Sequence, residues 1–341
     1  MFAAEVIRQG FLTTVQDLGR FGNRHMGIPV SGAADCWALI TANGLVGNEP
    51  GAACLEITLS GPGILFNKDC LIAITGADMG PSIFGREVPL WESFLCCAGT
   101  LLSFGYSKKG CRAYLAIAGG IDVSPVMGSR STFLAGAFGG LEGRQLTKGT
   151  RLPVMTDPNI EKLSLENIIG KRYPVNRRPV YSDRIIVRVI PGIDRGLFIN
   201  LEYSKLFSTE YIVSEQFNRM GCYLKGCNKI RSLMPPLADS FPTTPGSIQV
   251  LPTGKPVILL HDAQSTGGYP QIGCIIAADL WKITQAVPGN RIKFVETDVS
   301  TGLKLLDDKN KETLLMEMAP QAYIYQNTGK NRYEVIIKRI T

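Results

Sequence analysis

Short runs rich in Val, Ile, Leu, Phe and Tyr recur along the whole chain, interrupted by Gly, Pro, Asn or Asp, and this pattern predicts strands joined by tight turns. LEITLSGPGILF, CLIAITG, RAYLAIAGG, RIIVRVIPG, SIQVLPTG, VILLHD and RIKFVETD are the clearest examples. Helical windows are few. ADCWALITANGLVGN starts after a cap at Asp35 and ends near Gly47, ADLWKITQAVPGN stops at Pro288, and LKLLDDKNKETLLMEMA lies near the C-terminus. The expected fold class is mainly β with a few helices.

Strand periodicity lapses between Pro153 and Ile185, where TDPNIEKLSLENIIGKRYPVNRRPVYSD gains prolines and charge. A chain of 341 residues exceeds one comfortable core, so two domains are expected, 1–155 and 184–341, with 156–183 connecting them. The halves echo one another: RAYLAIAGG leads through a Gly-rich loop to LTKGTRLPV, as PVILLHDAQSTGGYP leads to AVPGNRIKFV. That echo suggests two related barrel-like domains.

Composition narrows the picture. Hydrophobic residues make up 45% and charged residues 19%, which suits folded cores and not disorder. The net charge of +7 is scattered, and its densest run, KRYPVNRRP, reads as a solvated linker rather than a nucleic-acid patch. No basic-then-apolar leader and no membrane-length apolar run occurs, so a cytoplasmic protein without membrane or nucleic-acid partners is expected. Nine cysteines include no CxxC pair, Cys96 and Cys97 being adjacent and Cys222 and Cys227 separated by four residues. With only His25 and His261 besides, no metal site is expected, and cysteines such as Cys70 and Cys274 read as small core residues.

Chemistry concentrates in loops denser in glycine and polar groups than a plain connection needs. TVQDLGRFGNRHMGIPVSGAAD holds Gln16, Asp17, Arg20, Arg24, His25, Ser31 and Asp35; TGAD, GSRST and NRMG follow, the last two carrying Arg130 and Arg219. The segment HDAQSTGGYPQIG carries Asp262, Gln264, Thr266, Gly267, Gly268 and Tyr269. Either Thr266, Gly267 and Gly268 present backbone N–H groups to a carboxylate or carbonyl oxygen, or the two glycines supply positive φ angles for a turn. Arg130 and Arg219 are carboxylate or phosphate clamps, or members of structural salt bridges. Asp17, Asp35 and Asp262 are bases or caps, and His25 and His261 are acid–base groups or hydrogen-bonded structural residues. Phosphate-loop, dinucleotide and nucleophile-elbow signatures are absent, as is a Met-Lys-Met biotin acceptor. No covalently attached biotin is therefore expected on this chain, and any ATP binding or biotin attachment is assigned to another.

Six stretches, in order and spanning nearly the whole chain, carry a resemblance: GFLTTVQDLGRFGNRHMGIPVSGAAD, LVGNEPGAACLEITLSGP, RAYLAIAGGIDVSPVMGSRST, GGLEGRQLTKGTRLP, SEQFNRMGCYLKG and DAQSTGGYPQIG. Together they resemble the biotin-dependent carboxyltransferase family, which includes the C subunit of 5-oxoprolinase, the kinase-inhibitor antagonist KipA, allophanate hydrolase subunit 2 and the carboxyltransferase region of urea carboxylase. The resemblance implies two cyclophilin-like β-barrel domains in tandem, facing a shared cleft. It also implies partnership with the other two 5-oxoprolinase subunits, B (smaller and cyclophilin-like) and A (the lactam-utilisation protein). The three together would form an ATP-hydrolysing 5-oxoprolinase that opens 5-oxo-L-proline to L-glutamate. Two positions depart from the family pattern: Asn218 stands where an aspartate commonly precedes Arg-Met-Gly, and Ala263 where a larger, often basic residue is common.

Opening a resonance-stabilised lactam needs activation of the amide oxygen, so such a site requires a carboxylate clamp, donors for that oxygen and a base for water. The expected catalytic residues are Asp17, Asp262 and Gln264, and the expected substrate contacts are Gln16, Arg20, His25, Ser31, Arg130, Arg219, Thr266, Gly267, Gly268 and Tyr269. Two other readings stand beside this one: a carboxyltransferase or allophanate-hydrolase-type protein acting on a urea-like substrate, and a non-catalytic regulator that binds a cyclophilin-like kinase inhibitor.

Overall fold

The computed structural model describes residues 2–155, 169–226, 228–233, 240–319, 321–329 and 332–339. The chain forms two compact units, and neither is continuous in sequence. Unit 1 comprises Met1–Gly19, Ser31–Val180 and Thr313–Thr341, and unit 2 comprises Arg20–Val30 and Tyr181–Glu312. The simple division into 1–155 and 184–341 thus differs in two places: part of the first loop counts with unit 2, and the C-terminal segment returns to unit 1. Much of the expected connecting segment, 156–168, lies outside the described residues.

Unit 1 contains two sheets. One orders Arg151–Leu152, Ala4–Arg8, Gly63–Phe66, Leu101–Ser103, Ser82–Ile83 and Arg86–Glu87. The other runs Leu12–Gln16, Cys54–Thr58, Lys109–Ile117, Cys70–Asp78, Ser93–Cys96, Gln321–Gly329 and Arg332–Arg339. Its central strands are buried on both faces. Leu55, Ile57, Ile72, Ile74, Leu115 and Ile117 pack into one core, while Cys54, Leu71, Ala73, Tyr114 and Ala116 pack into a second with the helix Cys36–Leu45. Alternate residues of a strand point to opposite faces, so covering both faces turns the sequence into near-continuous apolar runs such as CLIAITG. The helix is capped as expected: Ala38 N donates to Asp35 Oδ1 at 3.1 Å.

Unit 2 is a closed seven-stranded barrel. Its order is Arg184–Pro191, Gln271–Ile275, Ser247–Val250, Pro256–Leu259, Gly221–Lys225, Glu210–Phe217 and Arg291–Glu296, the last returning parallel to the first. Val187, Val189, Tyr211, Ile248, Ile258, Ile272 and Phe294 fill its core. The mainly β expectation holds in both units, with the closed ring seen in the second.

Two expectations change. The C-terminal helix spans Val299–Thr313, after which Glu317–Met318 becomes a strand paired with Lys171–Arg172. KRYPVNRRP is accordingly more than a solvated linker, since Lys171–Arg172 is paired and Tyr173 is buried against Trp91 with ring centroids 5.7 Å apart. The cysteines behave as core residues where buried, and burial pushes the Cys70 thiol up to about 12. Cys227 lies outside the described residues, and none of the other eight cysteines forms a disulfide among the described residues.

Candidate functional site

In unit 1 the strand Leu12–Gln16 delivers Asp17 to a cluster of donors. Asp17 Oδ1 accepts hydrogen bonds from Gly19 N at 2.8 Å, Ser129 Oγ at 2.6 Å and Ser131 Oγ at 2.5 Å, and Oδ2 accepts one from Arg130 N at 2.5 Å. Asp17 N in turn donates to Ser131 Oγ at 3.0 Å. Thr132 extends the fit, its N and Oγ1 both donating to Val15 O, while Gln16 Nε2 donates to Thr132 O. The GSRST stretch is laid along the end of the strand with Asp17 as its anchor. Asp17, expected as a base or a cap, is here a buried carboxylate accepting four hydrogen bonds that organise the loop.

Because Ser129 and Ser131 both bond Asp17, the residue between them is free to reach elsewhere. Arg130 is half-buried, and its Nε donates to Val123 O at 2.9 Å. Its Nη1 and Nη2 make no hydrogen bond or ion pair among the described residues. Backbone N and side-chain Nε are both fixed, so the two remaining nitrogens form a preset fork of the kind that pairs with a carboxylate.

Val123 also lines a cavity of about 440 Å³ with Val126, Phe138, Leu141 and the glycines around them. Here sequence reading missed a feature. The loop takes left-handed φ at Ala137 (51°) and Glu142 (57°), as well as at Gly139, Gly140 and Gly143. A Cβ at Gly143 would lie 2.0 Å from the Ala137 carbonyl carbon, so that position admits glycine alone. Strained non-glycine backbone concentrates at functional sites. The available signal was the glycine density of AGAFGGLEG.

Ser31 is fully buried with φ 54°, and its Oγ has no hydrogen-bond partner among the described residues. Its loop is pinned where Ala33 N donates to Asp17 O and Ala34 N donates to Glu56 Oε2 at 2.8 Å. Tyr114 OH donates to the same Glu56 oxygen at 2.7 Å and accepts from Asp35 N at 2.7 Å. Burial, with the Glu56 and Asp35 charges, pushes the Tyr114 hydroxyl well above its ordinary value, which keeps it a donor. Glu56 and Tyr114 were not foreseen, because each sits within an apolar run that reads as plain strand.

In unit 2, Arg219 and Asp262 form a buried bidentate pair, with Nε to Oδ2 at 2.8 Å and Nη2 to Oδ1 at 3.1 Å. Asp262, expected as a base or a cap, and Arg219, expected as a substrate clamp or a salt-bridge member, are held by one another in this pair. Asn218 Oδ1 accepts from Met220 N and Gly221 N, a turn that either an asparagine or an aspartate oxygen can close. Ala263 is buried. Arg20 is also fully buried, with its backbone N donating to Val30 O.

The TGGYP stretch forms a ribbon. Thr266–Gly267 pairs antiparallel with Phe241–Pro242, and Thr243 N donates to Ser265 O. Buried polar side chains hold it: Thr243 Oγ1 donates to Gln264 O at 2.6 Å, Gln249 Nε2 to Tyr269 O at 3.3 Å, and Gln271 Nε2 to Pro242 O at 2.9 Å. Arg24, whose guanidinium burial draws down from its ordinary value, donates to Thr243 O. Neither Gly267 nor Gly268 has a positive φ, whereas Gly119 and Gly120 do, at 93° and 75°. The turn reading of Gly267 therefore gives way to close approach: a Cβ there would stand 2.7 Å from Gln249 Nε2. Gln264, Thr266 and Tyr269 are exposed on the ribbon, and His25 is exposed in the short turn Arg24–Met26.

The expected residues thus separate within each unit. Asp17, Arg219 and Asp262 hold the frame, while Arg130 in unit 1 and His25, Gln264, Thr266 and Tyr269 in unit 2 retain groups open to a ligand.

Residues 26–296 match the family model described as carboxyltransferase domain, subdomain A and B. The chain is similar to the C subunit of 5-oxoprolinase from Escherichia coli K12, 38% identical over 307 residues that cover 90% of this chain and 95% of that protein. It is 36% identical over 333 residues to urea amidolyase of Lachancea kluyveri, covering 92% of this chain but 18% of that protein. Among solved structures, the K. lactis urea amidolyase superposes with a TM-score of 0.84 at 28% identity, over 99% of this chain and 23% of that one.

Proposed function

Since the chain belongs to the family of carboxyltransferase domains built of subdomains A and B, we propose that it is the C subunit of a 5-oxoprolinase, opening 5-oxo-L-proline to L-glutamate at the expense of ATP. The observation that carries this reading is the extent of the likeness: the match covers 95% of a protein named as the C subunit of 5-oxoprolinase. The reaction requires separate A and B subunits, and ATP is bound with their participation. Phosphorylation of the lactam oxygen makes the ring carbon electrophilic. One water then adds as the ring C–N bond breaks, and a second releases phosphate.

Within this scheme the Nη1 and Nη2 fork of Arg130 holds the substrate carboxylate, its direction fixed by Val123 O and Asp17. Asp17 acts as a positioning residue, and neither it nor Asp262 serves as the water-activating base.

A second reading, carboxyl transfer to a urea-like substrate with biotin brought by another protein, is supported by the likeness to urea amidolyase. The two differ in substrate charge, because 5-oxoproline bears a carboxylate and urea does not. Substrate choice is therefore the test. With cognate partner subunits and ATP, 5-oxoproline should be consumed and urea left intact; bicarbonate-dependent consumption of urea instead would establish the second reading.

A further inference from the structure

Unit 2 holds a cavity of about 460 Å³ that the proposed reaction does not use. One edge is the segment from Lys229 to Ser232, the other the hairpin turn from Val250 to Gly254, and Pro270 adjoins Val250. Main-chain bonds hold these edges together: Ile230 N donates to Gly254 O at 3.0 Å, Gly254 N to Leu251 O at 2.8 Å, and Val250 N to Pro270 O at 2.9 Å. Gly254 has φ 78°, and a Cβ there would stand 2.8 Å from Lys229 Cβ. Lys229 is thereby drawn tightly against the turn. The volume lies within the ordinary range of small-molecule sites.

The lining is chemically one-sided. It contains two cations, Lys229 and Arg231, and two hydroxyls, Ser232 and Thr253, with apolar surface from Leu251, Pro252 and Pro270 and no carboxylate among the described residues. The acid beside it, Glu202, is already engaged. Its Oε1 accepts from Lys205 Nζ at 2.6 Å and its Oε2 from the Arg231 backbone N at 2.8 Å. Lys205 Nζ also donates to Lys229 O at 3.4 Å, so the only carboxylate beside the cavity among the described residues is spent on Lys205 and on the Arg231 backbone. A concave site with unbalanced positive charge concentrates anions, and an arginine fork beside a lysine suits a carboxylate or phosphate oxygen pair.

The geometry points to a binding site for a small ligand bearing an oxyanion, its phosphate or carboxylate group held by Lys229 and Arg231 and its apolar portion against Leu251, Pro252 and Pro270. Pro270 ends the ribbon that carries Thr266 and Tyr269, and Gln249 Nε2 bonds Tyr269 O in the same stretch. Occupancy therefore stiffens the segment that presents those two exposed side chains. The site stands apart from the reaction scheme, so its test needs no turnover.

Thermal unfolding of the full chain, titrated with inorganic phosphate and separately with L-glutamate at ionic strength fixed by sodium chloride, reads binding directly, since a ligand that binds only the folded state raises Tm. The wild type is expected to show a saturable rise with at least one anion, and which one responds identifies the oxyanion. In Lys229→Ala/Arg231→Ala the affinity falls at least about tenfold. Both residues are exposed, so the variant's fold is verified by its melt in chloride alone. A Lys148→Ala/Lys304→Ala variant, which removes the same charge from exposed positions elsewhere, keeps the rise. No rise with either anion at tens of millimolar, an equal rise in the Lys229/Arg231 variant, or loss of the rise in the Lys148/Lys304 control would overturn the assignment.

Discussion

At the residue scale, Arg130 and Asp17 bear most of the functional reading. Arg130 carries two nitrogens without a partner among the described residues, on a guanidinium whose Nε is tied to Val123 O, and lysine cannot reproduce that fork. Arg130→Lys should therefore raise KM for 5-oxoproline by about tenfold or more, close to the effect of Arg130→Ala. Steady-state kinetics of the reconstituted complex measure this, and an unchanged KM in the lysine variant would remove the clamp from the scheme. Asp17→Asn retains shape but loses the charge that four donors address. It should cost about 2–3 kcal/mol of stability in denaturant unfolding, because hydrogen bonds to an ionised acceptor are the stronger kind. The motifs TVQD and GSRST drew attention to both residues from sequence, but their roles were not legible there. Whether an aspartate is a base or an anchor depends on which donors the fold brings to it, and Ser129 and Ser131 lie more than a hundred residues away along the chain.

At the scale of elements, local signals were read well and long-range ones poorly. The Asp35 cap, the helix Cys36–Leu45 and the strands Cys70–Asp78, Arg184–Pro191 and Arg291–Glu296 follow from periodicity and turn chemistry alone. The Gly267 position does not, because its requirement comes from Gln249 on another strand. The same holds for Arg219 and Asp262, which join the loop after Phe217 to the loop after Leu259. Removing one member of a buried pair strands the other charge, so Arg219→Met should destabilise by about 3–5 kcal/mol, whereas Arg219→Met with Asp262→Leu should recover much of that loss. Chemical denaturation of the two variants decides it. Equal losses would mean that the pair itself, and not the stranded charge, dominates.

At the scale of the whole molecule, the chain divides into two compact units, each discontinuous in sequence. Strand grammar marks where a segment begins and ends, yet says nothing of which core claims it. The return of the C-terminal segment to unit 1 is secured partly by Glu317–Met318 pairing with Lys171–Arg172 and by Arg172 Nε to Glu317 Oε1 at 2.7 Å. Next to it lies Glu92, whose backbone pairs antiparallel with Arg172 and whose Oε1 has no hydrogen-bond partner among the described residues. Burial raises the Glu92 carboxyl from 4.5 to about 7 against the opposing pull of Arg178 and Arg172. An acid with a raised folded-state pKa binds its proton more tightly when folded, so it lowers stability as pH climbs from about 4.5 through about 7. Glu92→Gln should flatten that part of the Tm–pH curve, and parallel curves for wild type and variant would exclude Glu92 as the cause.

An omission experiment decides whether this chain is a working part of a 5-oxoprolinase. The chain is combined with its cognate A and B subunits, and ATP-dependent release of L-glutamate from 5-oxo-L-proline is measured with and without it. Glutamate release that appears only when all three are present is the expected result; an undiminished rate in its absence would contradict the claim.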